Sequence, residues 1–554
     1  MADMTEFLSG FTPFKADDVE KYTRLGWWAG LTFGDILDRA AETYPDKEAL
    51  VDGNNRLTFS QVRDKVNRLA VGLMGLEIAV QERVLVQLPN WNEFVFAYFA
   101  LQKIGAIPVL LIDRYRQHEI SHFFKLTGAT SWILPEKYQR IDYRPVIDAV
   151  LQDHPQTKNI ILVRGTQTKK YLNLEKLIEN AVLAKTNLFK LKDQKPDSMQ
   201  VAHMGPTGGT TGLPKVAPRT HNDYLCNVKY AAKAWKLDSG DTCLLAGPVG
   251  HDLTFSKGLC AGILTGGKSV FLDSTEPKNI CETIERERIT AVVWVPTLAR
   301  RLINFDRLKD YDLSSLKKMH CGGGVSSPDL IEAVMEKIGC KFFNAYGSTE
   351  GQSTMTRSND DLETVYHTVG KPTCPHDIYR VVDGNGKELP SNTQGELLVK
   401  GPGVFSGYYK APLENKDVFA KNGFFKTGDI AKIDDSGCIT LTGRMKEMIN
   451  RGGESISAVE IENLIILHPD VEAVAAIGMP DHEMGERVCA YIQAKPGITL
   501  GFEKIISFIR EQGASVLQLP ERIEFIDSMP LTETKKLIDK KALQKDIKKK
   551  IEPL

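Results

Sequence analysis

The 554-residue chain is expected to fold as an α/β protein with largely parallel sheets, followed by a smaller C-terminal part of different texture. Three observations predict this. Through most of the chain, short apolar runs alternate with amphipathic stretches of helical period. After about Cys374 the strand-like segments are punctuated by Gly, Asn, Asp and Pro. Beyond Arg444 helix and strand patterns return in a compact α+β order.

The elements follow in turn. Residues 60–76 (SQVRDKVNRLAVGLMGL) carry apolar side chains at helical spacing, and 83–88 (RVLVQL) has the pattern of a buried strand. A helix over 93–105 and a strand over 107–111 repeat the pair, and the rhythm continues through 280–287, 291–295, 330–338 and 341–343. Strands separated by helices of this length are joined as parallel crossover units. Residues 378–382, 395–399 and 430–433 read as strands of a small antiparallel or barrel-like unit. A helix near 458–467, strands over 471–478 and 488–494 and a helix over 503–512 complete the α+β part. The chain ends in a Lys-rich helical tail, expected to be a solvated face. The hinge between the parts is expected at 443–446, giving an N-terminal domain of 1–443 and a C-terminal domain of 444–554.

Composition narrows the classes. With 70 basic and 71 acidic residues the net charge is −1, which gives no support for general nucleic-acid binding. The nine cysteines are scattered and include no CxxC pair, which argues against a disulfide scaffold or a zinc ribbon and for reduced thiols. The opening MADMTEFLSGF lacks a secretory pattern. The most apolar stretch, 95–112, is broken by Gln102, Lys103 and Gly105, short of the roughly 20 apolar residues a membrane span needs. A soluble cytoplasmic enzyme, with neither membrane nor nucleic acid as partner, is the expectation.

Two glycine-rich segments compete as phosphate loops. Gly262 to Ser269 (GILTGGKS) fits the GxxxxGK[ST] pattern. That pattern works when a strand leads into the loop and a helix N-terminus follows it. Here a helix-like LCAGIL precedes and a strand-like SVFLD follows, so a helix-to-strand turn is expected instead. Residues 207–215 (TGGTTGLPK) suit a polyphosphate better: glycines free the backbone, while threonines and a lysine add donors.

This loop is the first of six motifs that occur in order: TGGTTGLPK, GHDLTFS at 250–256, YGSTE at 346–350, KTGD at 426–429, GRMKE at 443–447 and the late segment from Pro530 to Lys536. In this set the chain resembles the adenylate-forming superfamily of acyl-CoA ligases, aryl-AMP ligases, adenylation domains and luciferases. The runs GGTTGLPK and PRTHNDY, the opening GFTP and Leu88-Pro89-Asn90 are most similar to the branch that activates 2,3-dihydroxybenzoate and related aryl acids. The resemblance implies a large N-terminal part of two α/β subdomains plus a small β-barrel, carrying a mobile α+β C-terminal domain.

It also implies roles. ATP would be held by Thr207, Gly208, Gly209, Thr210, Thr211, Gly212 and Lys215 at the β- and γ-phosphates, Thr349 at the α-phosphate, Tyr346 and the Asn344 backbone at adenine, and Asp429 with Arg444 at the ribose. Glu350 would hold Mg²⁺, a hard cation that prefers oxygen ligands. Lys536 is the candidate catalytic lysine, bridging the substrate carboxylate and the α-phosphate. Lys535 stands where the family has glycine, which leaves the register between the two lysines open. Lys446 occupies the hinge position, and Gly452 and Gly453 follow in a loop suited to a thiol tunnel.

For the acyl pocket the resemblance assigns His251 as a gate beside the acid, with Gly322, Gly323 and Gly324 as a close-packed wall. Two positions depart from the dihydroxybenzoate pattern. Asp252 stands where an asparagine reads the 2-hydroxyl, and Lys257 where a small hydroxyl residue is usual. A charged Asp in an apolar pocket needs a partner, supplied either by Lys257 or by an amino group of the substrate. The expected substrate is therefore a cyclic or aromatic monocarboxylate without the diol, of the benzoate or cyclohexanecarboxylate type, converted through acyl-AMP to its coenzyme A thioester. The alternative is an aryl acid-AMP ligase loading a phosphopantetheinyl carrier protein. A non-enzymatic ATP-binding descendant is opposed by the presence of Glu350, Asp429 and Lys536.

Overall fold

The computed structural model describes residues 7–207, 214–445, 448–451, 454–481, 484–512, 514, 518–532 and 537–551. Two compact units are present: Met1–Tyr379 with Val399–Gly423, and Arg380–Leu398 with Phe424–Leu554.

The first unit holds two twisted sheets. One has seven strands, ordered Val216–Thr220, Val201–Pro206, Ile107–Leu111, Arg83–Gln87, Ser131–Pro135, Asn159–Val163 and Leu172–Asn173. All neighbours are parallel except the first pair, Val216–Thr220 against Val201–Pro206. The other has nine, and its centre, from Lys341–Gly347 through Lys318–Cys321, Ala291–Trp294, Thr242–Leu245 and Lys268–Phe271 to Glu48–Asp52, is parallel throughout. Antiparallel strands finish both edges.

Helix Asn92–Lys103 explains the apolar stretch noted in the sequence: ten of its residues are buried, so it is apolar on every face because it is a core helix. No described helix is long and apolar enough to cross a membrane. Helix starts are chemically marked. Thr58 and Gln61 exchange side chain-to-backbone bonds at the head of Phe59–Met74, as Thr220 and Asp223 do at the head of His221–Ala234. Such a cap is worth about 1 kcal/mol. The rejected phosphate loop is the turn its flanks foretold, with helix Ala261–Thr265 ending on Gly266 at φ +77° before strand Lys268–Phe271.

In the second unit the expected barrel-like element is a four-stranded sheet, ordered Ile378–Val382, Gly395–Lys400, Phe425–Ile433 and Ile439–Arg444; parts of its first two strands belong to the first unit. A second sheet is built on the long hairpin Val471–Asp481 and Gly485–Ala494, with Arg522–Phe525 added in parallel. Helices Ala458–Ile465 and Phe502–Glu511 bury Ile461, Ile465, Ile505 and Ile509 in one core. The Lys-rich tail is helix Lys540–Ile551, which packs Leu543 and Ile547 with Ala475, Ile477 and Tyr491. Its Lys550 is paired with Glu524 and Asp546. All nine cysteines are free and buried.

Candidate active site

Residues 207–215 lie in the sequence between the two antiparallel strands Val201–Pro206 and Val216–Thr220. The Thr207 amide donates to the Lys215 carbonyl at 2.9 Å, closing the base of this stretch. The Lys215 ammonium lies 4.9 Å from the centre of the Tyr408 ring. Gly208, Gly209, Thr210, Thr211 and Gly212 lie outside the described residues.

Beside this base runs the Tyr346–Glu350 segment, leaving strand Lys341–Gly347. Arg219, fully buried, organises it. Its Nε donates to Asp223 at 2.5 Å, and its two terminal nitrogens donate to the carbonyls of Thr349, 2.9 Å, and Gly403, 2.7 Å. Gly351, at φ +107°, sits against Gly403 and Val404, where a Cβ would collide with backbone. Glu350 is nearly buried. Oε1 accepts the Tyr408 hydroxyl at 2.7 Å, Oε2 accepts Ser348 Oγ, and the Glu350 carbonyl accepts the Phe405 amide. Asn344 turns its side chain away to donate to Thr368, while its backbone pairs with Thr356. Tyr346 is half-buried at the end of the strand.

A cavity opens next to Thr349 and is lined by Ile112, Tyr115, His203, Tyr224, His251 and Asp252. Its far wall is set by one side chain. Asn90 Nδ2 lies 2.8–3.2 Å from the carbonyls of Leu245, Gly247 and Leu272, and Asn90 Oδ1 accepts the Val249 amide at 2.8 Å. Gly250 then passes so close to the Leu111 carbonyl that no Cβ fits. His251 and Asp252 follow, opening a π-helix, Leu253–Cys260. This wide turn is a feature often found at functional sites, and it turns Lys257 inward.

Of the two partners expected for Asp252, Lys257 or a substrate amino group, Lys257 makes no hydrogen bond or ion pair with it among the described residues. Asp252 Oδ1 accepts the Tyr224 hydroxyl, whereas the buried Lys257 ammonium donates to Asn227 Oδ1. Asn227 passes the contact on, donating to the Gly351 carbonyl at 2.7 Å. Burial pulls the Lys257 pKa down to about 8, opposed by the carboxylates of Asp252 and Asp377 and reinforced by Arg219. Neither Lys257 nor the three glycines line the cavity with Asp252. Gly322 is buried against the Ala345 carbonyl, while Gly323 and Gly324 are exposed.

In the second unit Asp429 and Arg444 face each other across adjacent strands, with Arg444 Nε donating to Asp429 Oδ1 at 2.8 Å. Lys446, Gly452, Gly453, Lys535 and Lys536 lie outside the described residues. Among the described residues no group of three or more His, Cys, Asp or Glu is placed to hold a metal.

Sequence reasoning named Tyr224 and Asn90 only as letters of runs, and gave no role to Arg219, Asn227, His203 or Tyr408. Each acts through a partner distant in the chain, such as Tyr224 with Asp252 or Tyr408 with Glu350. The signal available was polarity inside otherwise apolar elements.

Comparison with known proteins adds three kinds of likeness. Residues 37–409 match the family described as AMP-binding enzyme, and residues 460–536 the AMP-binding enzyme C-terminal domain. The chain is 36% identical to the 2,3-dihydroxybenzoate-AMP ligase of Bacillus subtilis, over 98% of this chain and 99% of that protein. It is 31% identical to the salicyl-AMP ligase / salicyl-S-ArCP synthetase of Mycobacterium tuberculosis, over 98% and 95%. The apo structure of Mycobacterium smegmatis MbtA superposes with a TM-score of 0.73 at 30% identity, covering 98% of this chain and all of that one.

Proposed function

Since the chain belongs to the AMP-binding enzyme family and is an AMP-forming acid ligase, we propose that it activates an aryl carboxylate as its acyl-AMP and passes the acyl group to the phosphopantetheine thiol of a carrier protein. This reading displaces the coenzyme A thioester expected first, because the Mycobacterium tuberculosis relative is named for an acyl-S-ArCP product.

The observation that carries it is the cavity holding His251, Asp252 and Thr349 together, which joins the acid-gate motif to the phosphate motif within one unit. A carboxylate is a poor acyl donor because oxide would have to leave. Attack of its oxygen on the α-phosphorus of ATP expels pyrophosphate and leaves a mixed anhydride, from which a thiol displaces AMP. The protein's share is positioning and charge neutralisation. Thr207, the 208–213 loop and Lys215 are assigned to the β- and γ-phosphates, Thr349 to the α-phosphate, Tyr346 and the Asn344 backbone to adenine, and Asp429 with Arg444 to the ribose. Lys536 is assigned to bridge the two reacting anions, and Lys446 to the hinge.

Glu350 fits a Mg²⁺ ion. Its donors are oxygens, and its two carboxylate oxygens, oriented by the hydroxyls of Ser348 and Tyr408, each keep a further lone pair for a cation. When bound, the ion supplies positive charge beside the phosphates.

The test is mass spectrometry of reactions containing ATP, Mg²⁺, a panel of ring carboxylates and either coenzyme A or a phosphopantetheinylated carrier protein. Acyl-carrier thioester is the expected product. Rapid acyl-CoA accumulation would reassign the acceptor, and absence of acyl-AMP with every acid would refute the adenylation itself.

A further inference from the structure

Glu350 stands in the middle of three consecutive carbonyls, each held by a distant element. Arg219 donates to the Thr349 carbonyl at 2.9 Å, the Phe405 amide to the Glu350 carbonyl at 2.8 Å, and Asn227 Nδ2 to the Gly351 carbonyl at 2.7 Å. The first two donors have a fixed sense, a guanidinium paired with Asp223 and a backbone amide. The third does not. An asparagine amide has two ends of nearly the same shape, and turned over it would set Oδ1 against the Gly351 oxygen, acceptor facing acceptor. The Lys257 ammonium prevents this, because it donates to Asn227 Oδ1 and so dictates which end meets Gly351. Lys257 and Asn227 are both buried, and Lys257 is ion-paired with no carboxylate among the described residues. A buried ammonium without a contacting counterion is destabilising. Nor does it serve the cavity: Lys257 lies on the π-helix that follows His251 and Asp252 but does not line the cavity with them. The wide turn aims it at Asn227 on helix His221–Ala234.

We propose that Lys257 is a positioning residue for Mg-ATP: by orienting the Asn227 amide it holds the Gly351 carbonyl, and with it the Glu350 carboxylate, in place for the metal. The inference rests on the adenylation reading above, with Glu350 as the Mg²⁺ residue, and adds the two buried side chains that seat it. The mechanical reason lies at Gly351. Its φ is +107°, and a Cβ there would strike the Gly403 carbonyl and Val404, so the segment is already pressed against one wall. Asn227 grips it from another element, and the peptide that follows Glu350 is thereby kept from swinging. The Glu350 side chain then leaves a fixed backbone towards Ser348 and Tyr408. Lys257 touches none of these groups and acts on them only through Asn227.

The experiment is isothermal titration calorimetry of the full chain at neutral pH with ATP, once with Mg²⁺ and once with a chelator instead. Lys257→Met should weaken Mg-ATP binding about five-fold or more, the effect of one buried hydrogen bond. Metal-free ATP should change by less than about two-fold. The double variant Asn227→Leu/Lys257→Met replaces the buried polar pair with apolar side chains of similar size and should show the same pattern. Unchanged Mg-ATP binding by Lys257→Met overturns the proposal even where the double variant is weak, since Asn227 would then hold Gly351 unaided. An equal loss with and without Mg²⁺ overturns it too, because a general loosening of the fold would give that result. Should Lys257→Met fail to fold by circular dichroism, the double variant decides by the same criterion. A parent that binds no Mg-ATP removes the adenylation reading, and this one with it; variants that bind Mg-ATP as the parent does remove this one alone.

Discussion

Replacing Lys257 with methionine removes a buried ammonium, and the resulting stability change is expected to depend on pH. The folded-state pKa is pulled to about 8 by burial, against an ordinary 10.5. Between those values the unfolded chain holds the proton more tightly, so ionisation of Lys257 makes the parent more stable as pH rises. Below pH 8 the group is charged in both states, and the parent carries the whole penalty of about 3 kcal/mol. By pH 9.5 less than half of it is left. The methionine variant escapes this penalty but strips Asn227 Oδ1 of its donor, at a pH-independent cost of about 1–3 kcal/mol. The two effects nearly offset at pH 7. The signature is the slope: the variant should lose about 2 kcal/mol relative to the parent between pH 7 and pH 9.5. Urea denaturation of both proteins, followed by tryptophan fluorescence at several pH values, measures it. A difference constant to within about 0.5 kcal/mol across that range would show that Lys257 does not ionise as a buried group.

Two further outcomes follow from the proposed roles. Lys536→Ala should slow adenylate formation by orders of magnitude yet spare thioester formation from supplied acyl-AMP; equal loss of both half-reactions, followed by mass spectrometry, would reject its role. Tyr408→Phe removes a charge-assisted bond to Glu350 Oε1, worth about 1.5–3 kcal/mol. It should raise the KM for Mg-ATP about ten-fold or more with little change in the KM for the acid, and a uniform fall in kcat alone would separate Tyr408 from the metal site.

Much of the fold was legible because burial writes itself into apolar runs. Residues 107–111 and 378–382 form strands with the expected bounds, Ile107–Leu111 and Ile378–Val382. Helix 60–76 is Phe59–Met74, its start displaced by one because Thr58 provides the cap. Strand 430–433 proved to be the tail of Phe425–Ile433, since Lys426, Thr427 and Gly428 interrupt the apolar signal without interrupting the pairing. At the site, ordered motifs named His251 and Thr349, which line one cavity. What could not be read was the pairing. Tyr224 is 28 positions from Asp252, and no letter of the 253–260 run marks the π-helix that diverts Lys257 towards Asn227. The need of a charged Asp252 for a partner left Lys257 as one of two alternatives, and tertiary packing gave each residue another protein partner, Tyr224 and Asn227.

Asn90 has a consequence for the width of the cavity. It follows a strand of the seven-stranded sheet, yet its amide is fastened to Leu245, Gly247, Val249 and Leu272, at the ends of two strands of the nine-stranded sheet. The cavity draws its walls from both sides of that junction, Ile112 and His203 from one and His251 and Asp252 from the other. The rivet therefore sets the gauge of the slot. Any widening that parts the two sheets has to break the Asn90 bonds together, so the slot is held at its width by a residue outside its lining.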